Sequence, residues 1–376
     1  MTVASSKNGT CRKKFRMAAL DLDGTLLNSN HDVSDATVAH LRDLHARGFV
    51  VAIATGRSAA CTAHIIEKLD LNHDVDNGGG GDDDDDAKTG FPLVCTNGAR
   101  GLRVGKSFSD VDEDLPPKKN SYSNPFLKRT LVIDEELFHD PLSKDLTLKT
   151  LALAHRLGCV TNYYHDHNIY AAVRNDDQME LTKRYARLTG SSELYRYLNN
   201  DEEEEDNEGN AYGYERAMAM GPPSKLLMLC PTERLDEITD LVRAELNGDD
   251  DAVPSNDNTQ SQQRQQHQAN VIRGTPPFFV EILDPSVHKG HGLRRLCESV
   301  DVPLEEVIAF GDGDNDLEFI RMAGWGVAMK NGREEVKDAS DEVCRWSNDE
   351  DGVIKTLQQY ELEGKLLFPK MMGGME

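Results

Sequence analysis

The sequence predicts an α/β protein built on a parallel sheet, with a second, α+β region inserted into it. Two observations carry this prediction. Four short apolar runs each end in small, hydroxyl or acidic residues, as buried parallel strands do when they open into loops at their carboxyl ends. Between the third and fourth runs lies a long stretch of different texture, about residues 110–283.

The first run, Met17-Ala18-Ala19-Leu20, feeds Asp21-Leu22-Asp23-Gly24-Thr25-Leu26. Asp and Gly alone would suit an ordinary turn. In open α/β sheets, however, ligands bind in the crevice beyond the carboxyl ends of the strands. Two carboxylates one residue apart repel unless a proton or a divalent cation relieves the charge, and Mg²⁺ is the hard cation that suits oxygen ligands. The second run, Phe49 to Ala54, leads into Thr55-Gly56-Arg57 and a helix near 58–69. The third, Leu93-Val94-Cys95, leads into Thr96-Asn97-Gly98. The last, Val307 to Phe310, leads into Gly311-Asp312-Gly313-Asp314-Asn315-Asp316. One chance turn explains one such junction well and four poorly. If the strands are parallel, all four loops share one edge of the sheet.

The stretch at 110–283 alternates helical and strand patterns. Leu146, Leu151, Leu153 and Leu157 follow a helical period, as do Leu235, Ile238, Leu241 and Leu246. Ile169 to Val173 and Leu226 to Cys230 read as strands, and the chain returns to the first region near Glu281-Ile282.

Composition narrows the function. The chain has 376 residues, a net charge of −24 and 29% charged residues, with a mean hydropathy of −0.57. That length suggests two domains. The charge opposes nonspecific binding to nucleic acid or to an anionic membrane. No apolar run approaches the ~20 residues that span a bilayer. Much of the acidity is local, at Asp82 to Asp86, at 201–208 and at Asp249 to Asp251. These stretches fall in low-complexity loops at 77–90, 200–212 and 247–270, which read as surface insertions. Seven dispersed Cys without a CxxC pair read as reduced thiols and a cytoplasmic protein. Residues 1–16 are basic and lack acids, consistent with a disordered tail, with organelle import as the alternative.

The motif segments resemble the haloacid dehalogenase superfamily of phosphohydrolases, and are most similar to its Cof-type branch, subclass IIB. The matching pieces are DLDGTLL at 21–27, ATGR at 54–57, CTNGA at 95–99, Lys289-Gly290 and GDGDND at 311–316. Gly326 to Met329, Asn331 and the segment Ser347 to Gly352 resemble the family's closing region. The resemblance covers roughly 17–105 and 275–360. It implies a Rossmann-like parallel-sheet core at 17–109 and 284–376, and a cap domain at 110–283 that covers the site and selects the substrate.

The resemblance also implies roles. Asp21 would be the nucleophile that forms an aspartyl-phosphate. Asp23 would act as general acid and base, with its backbone carbonyl on the metal. Thr55, Lys289 and Asn315 would bind the phosphoryl group. Asp21, Asp23 and Asp312 would hold Mg²⁺, with Asp316 supporting them. Gly56, Arg57 and Asn97 are further pocket candidates, Arg57 equally suiting a structural ion pair; Asp314 is assigned no role. The implied activity is hydrolysis of a small phosphate ester such as a sugar, pyridoxal or nucleotide-type phosphate. A phosphomutase on the same scaffold and a non-catalytic binding protein are the alternatives, and the oligomeric state is not specified. His165-Asp166-His167 reads as a surface cluster rather than a metal site, and Trp325 and Trp346 as core or rim aromatics.

Overall fold

The apolar runs become strands that are buried on both faces. The computed structural model describes residues 13–71, 90–105, 109–110, 121–123, 129–198, 211–248, 269–274 and 276–369. The acidic segments at 82–86, 201–208 and 249–251, and the basic residues before Lys13, lie outside the described residues.

The chain opens with β1 (Met17–Leu20), α1 (Asp35–Ala46), β2 (Val50–Ala54), α2 (Ala59–Leu69), β3 (Phe91–Cys95) and β4 (Arg100–Val104). Two short strands follow, β5 (Ser109–Asp110) and β6 (Ser121–Ser123), and then the long β7 (Arg129–His139). Next come α3 (Lys144–Arg156), β8 (Val160–His165), β9 (Asn168–Ala171), α4 (Asp176–Thr189), β10 (Tyr195–Tyr197) and α5 (Glu215–Met220). After them come β11 (Lys225–Leu229), α6 (Leu235–Asn247), β12 (Asn270–Arg273) and β13 (Phe279–Leu283). The last part holds α7 (Lys289–Val300), β14 (Val307–Gly311), α8 (Leu317–Met322), β15 (Trp325–Ala328), α9 (Glu334–Ala339), β16 (Glu342–Val343) and α10 (Gly352–Leu362).

Ten strands form one sheet in the order β16-β15-β14-β1-β2-β3-β4-β7-β5, with β6 also on β7. The run from β16 to β3 is parallel, and β4 and β7 are antiparallel additions. The four predicted loops therefore share one edge. Alternation along β1 explains its unbroken apolarity. Ala18 and Leu20 pack with α1, α2 and α10, whereas Met17 and Ala19 pack with α7 and α8. A six-stranded sheet, β10-β9-β8-β11-β13-β12, forms the second unit.

Three readings need correction. First, β7 pairs with β4 in the large sheet, so the chain leaves that sheet near residue 140 rather than 110. Second, the basic tail does not extend to residue 16: Phe15 is buried, bridges to Leu366 and bonds to the backbone of Lys365 and Leu367. Third, Leu241 of α6 is 42% exposed, and the neighbouring Val242 takes the core position one turn after Ile238. The other helical and strand patterns of this region coincide with α3, α6, β9 and β11, running one or two residues past the ends of α3, β9 and β11. Trp325 and Trp346 are half-buried and pack against the main core. Among the described residues, no helix is long and apolar enough to cross a membrane.

Candidate active site

Asp21 follows the last residue of β1 at the centre of the loop edge, and its N–H donates to the Phe310 carbonyl of β14 at 3.1 Å. The neighbouring strand β14 runs into Asp312 and Asp316. Lys289 arrives from the far side as the first residue of α7. Its approach depends on glycines. A Cβ on Gly292 would lie 2.6 Å from Val94 and 2.7 Å from Gly98, so any side chain there would push α7 off the sheet.

Lys289 is 1% exposed and donates to Asp21 Oδ1 and, at 2.6 Å, to Asp316 Oδ1. Asp316 Oδ2 accepts the N–H groups of Asp312 and Gly313, both at 3.0 Å, which fixes the turn that carries Asp312. Asp312 Oδ1 accepts from the Thr25 hydroxyl at 3.0 Å. Ligand atoms of Asp21, Asp312 and Asp316 lie within 4.8 Å of one another. They are the one such acidic, His or Cys cluster among the described residues, and His165 and His167 belong to none.

Three carboxylates therefore face a single ammonium. Burial pushes the Asp21 carboxyl well above its ordinary value, and Asp316 and Asp312 add to the rise that Lys289 opposes. Burial and then the charge of Asp316 push Asp312 up to about 6. Burial works against the charged form of Lys289, but Asp21 and Asp316 hold its ammonium above the usual lysine range. A divalent cation fits this excess of negative charge. The loop is shaped for close approach as well. Gly24 has a φ of +78°, and a Cβ there would stand 2.3 Å from Asp312 Oδ2.

Asp23 is not part of this cluster, and its side chain is 46% exposed. It pairs with Arg57, whose Nε donates at 2.8 Å. Burial favours the neutral carboxyl, but the hydrogen bond and charge of Arg57 outweigh it and lower the pKa. Of the two uses left open for Arg57, the ion pair is the one present, and its partner is a candidate catalytic residue. Thr55 is buried at the end of β2, and its Oγ1 accepts the Arg57 N–H at 3.2 Å. Asn315 Nδ2 donates to Asn97 Oδ1 at 3.1 Å. Gly56 leaves room for that amide, since a Cβ would lie 2.9 Å from Asn97 Oδ1. Asp314 pairs with Arg333 at the surface.

Four residues carry contacts that sequence reasoning did not assign. Thr25 holds Asp312, and Asn331 Nδ2 donates to the Gly24 carbonyl at 2.7 Å. Lys225 and Glu281 reach over from the six-stranded sheet. Their signal in the sequence is a lone charge within each of two apolar strands, KLLML and FVEIL. A cleft of about 850 Å³ opens beside the site, between Asn97, Lys289 and Asn315 on one side and Arg243, Asn270 and Arg273 on the other.

A family model described as haloacid dehalogenase-like hydrolase matches residues 18–100 and 131–357. The chain belongs to this family. Across 93% of its length it is 24% identical to the Arabidopsis thaliana protein named "Endoribonuclease YBEY, chloroplastic", of which it spans 47%. Over 85 residues, 23% of this chain and 31% of the relative, it is 42% identical to Bacillus subtilis 5-amino-6-(5-phospho-D-ribitylamino)uracil phosphatase YitU. The chain thus spans half or less of these two curated relatives. The fold matches that of the subclass IIB sugar phosphatase BT4131 with a TM-score of 0.59 and 18% identity, covering 92% of this chain and 99% of that one.

Proposed function

We propose that the chain is a Mg²⁺-dependent phosphatase of small phosphorylated metabolites that works through an aspartyl-phosphate on Asp21. The observation that carries this reading is the buried Lys289–Asp21 contact beside Asp312 at the loop edge of a parallel sheet. The phosphatase names among the relatives support it, and sugar phosphates and ribityl-type phosphates are the leading substrates.

Asp21, Asp312 and the Asp23 carbonyl would hold Mg²⁺, which when bound offsets repulsion between the anionic nucleophile and the phosphate dianion. Lys289 keeps Asp21 ionised and oriented by donating to Oδ1. The Asp21 carboxylate forms a bond to phosphorus as the ester oxygen leaves, and Asp23 supplies that oxygen with a proton. Water then attacks the phosphoryl group, gives its proton to Asp23, and frees Asp21 and inorganic phosphate. Arg57 favours the ionised Asp23 that this second step needs. Thr55 and Asn315 are assigned to the phosphoryl oxygens. The half-exposed side chain of Asp23 favours water access, and so hydrolysis over phosphoryl return to the substrate as in a mutase. Incubation with hexose phosphates tests this: inorganic phosphate release sensitive to EDTA is expected, and isomerised hexose phosphate without release overturns it.

The charge balance makes a second prediction. A carboxylate whose folded pKa is raised gives stability that is complete below its unfolded value and is lost as pH rises through the folded value. For Asp312 that window runs from the ordinary value of 3.8 up to about 6. The metal-free protein therefore loses stability across this range, and Mg²⁺ restores more of it at pH 7 than at pH 5. Asp312→Asn is expected to raise the metal-free Tm at pH 7 and to abolish the Mg²⁺-induced rise, both read by thermal unfolding. An unchanged Mg²⁺ shift in the variant would remove Asp312 from the metal site.

A further inference from the structure

Lys225 and Glu281 form an ion pair at 3.1 Å in which the two side chains are 2% and 10% exposed. They extend from adjacent antiparallel strands of the smaller sheet, where Glu281 lies opposite Leu227, two residues beyond Lys225, so both share one face. Neither is spent within that sheet alone. Lys225 Nζ donates across to the Gly56 carbonyl at 3.1 Å, and Glu281 Oε2 accepts from Asn97 Nδ2 at 2.8 Å. Asn97 Oδ1 then accepts from Asn315 Nδ2 at 3.1 Å.

A buried ion pair is no efficient source of stability, because apolar residues of similar volume serve as well or better. The surrounding positions of β11 and β13 are apolar, so packing alone would favour aliphatic side chains at both positions. What the pair supplies is orientation. Asn97 has left-handed backbone angles of 53° and 33°, and its amide lies between Glu281, Asn315 and the close-packed Gly56. Without an acceptor at Glu281, that amide is held only by Asn315, itself an amide that can turn over. Turned over, it presents an N–H₂ to the N–H₂ of Asn315.

We infer that Lys225 and Glu281 are positioning residues: seated against the large sheet, they orient Asn97 and through it aim the Asn315 amide at the phosphoryl group. The inference deepens the phosphatase reading and rests on its assignment of Asn315. It makes the seating of the smaller sheet a condition for a complete phosphoryl site.

The test uses the full chain and an aryl phosphate with Mg²⁺. The double variant Lys225→Met/Glu281→Leu replaces the pair with apolar side chains, so it is expected to fold with a Tm near that of the parent. Its kcat is expected to fall by on the order of 10- to 100-fold, the effect of a small misplacement of a reacting group. Glu281→Gln keeps an acceptor for Asn97 and is expected to recover part of that loss. Adding Asn315→Ala to the double variant should cost little more, as for groups acting in one chain. Full kcat in the folded double variant, or losses that simply multiply, would overturn the inference. Asn315→Ala alone reports on the underlying assignment, since unchanged kinetics there count against Asn315 and not against the pair. A second readout needs no turnover. In protein labelled with ¹⁵N-asparagine, the double variant should shift the side-chain N–H₂ signals of both Asn97 and Asn315; a shift confined to Asn97 breaks the relay.

Discussion

Asp21→Asn is expected to abolish turnover. The substitution preserves shape and leaves an oxygen to accept from Lys289, so the fold and the neighbouring contacts persist. It removes the nucleophilic electron pair from the one carboxylate placed at the centre of the loop edge. Loss of a nucleophile costs on the order of 10⁴-fold or more in kcat, and what remains reflects binding and electrostatics alone. The same change takes one charge from a cluster in which Asp21 and Asp312 are pushed toward neutrality, so the metal-free variant should unfold at or above the parent temperature. Phosphate release and thermal unfolding, measured together, separate a chemical defect from a folding defect. Full activity in a folded Asp21→Asn protein would move the nucleophile elsewhere.

Lys289→Met is expected to lower both stability and rate. Lys289 is the buried cation between Asp21 and Asp316, and a methionine side chain fills its space without its charge. Removing one partner of a buried ion pair costs roughly 3–5 kcal/mol, because the remaining charge has lost its counter-ion. For a chain of this size that corresponds to a fall in Tm of roughly 4–6 °C. Asp21 then protonates more readily, since the ammonium that opposed its raised pKa is gone. The acid limb of the rate profile should accordingly move to higher pH, with rate recovered in part as pH rises. A variant with the parental Tm and pH profile would show that Lys289 carries no such load.

The loop edge was legible because strand ends and chemistry coincide. β1, β2, β3 and β14 are apolar on both faces, and each stops where a carboxylate, hydroxyl or amide begins. Spacing within one loop was equally readable, as in Asp312 and Asp316, which meet across a single tight turn. Contacts between the two sheets left no such trace. Lys225 and Glu281 lie 56 positions apart in strands that otherwise show only apolarity, and pairing of strands is set by tertiary packing. The end of the large sheet was misplaced for a related reason: β7 carries Asp134, Glu135 and Glu136, which hide a core strand behind an acidic surface. The helical period picks Leu241 over Val242 because the two adjacent residues are both aliphatic and a one-residue error in period exchanges them.

The position of β1 between β2 and β14 bears on how the protein is made. Its second neighbour pairs Met17 with Val307, so a long stretch of chain must be synthesised before that strand is flanked on both sides. On the ribosome, Asp21 emerges long before Lys289 and Asp312, its counter-ion and its fellow carboxylate. Contacts so distant in sequence close slowly, and a half-finished sheet exposes strand edges meanwhile. The nascent chain therefore leaves one edge of β1 unpaired until Val307 is made, and any product truncated before residue 289 lacks the ammonium that contacts Asp21.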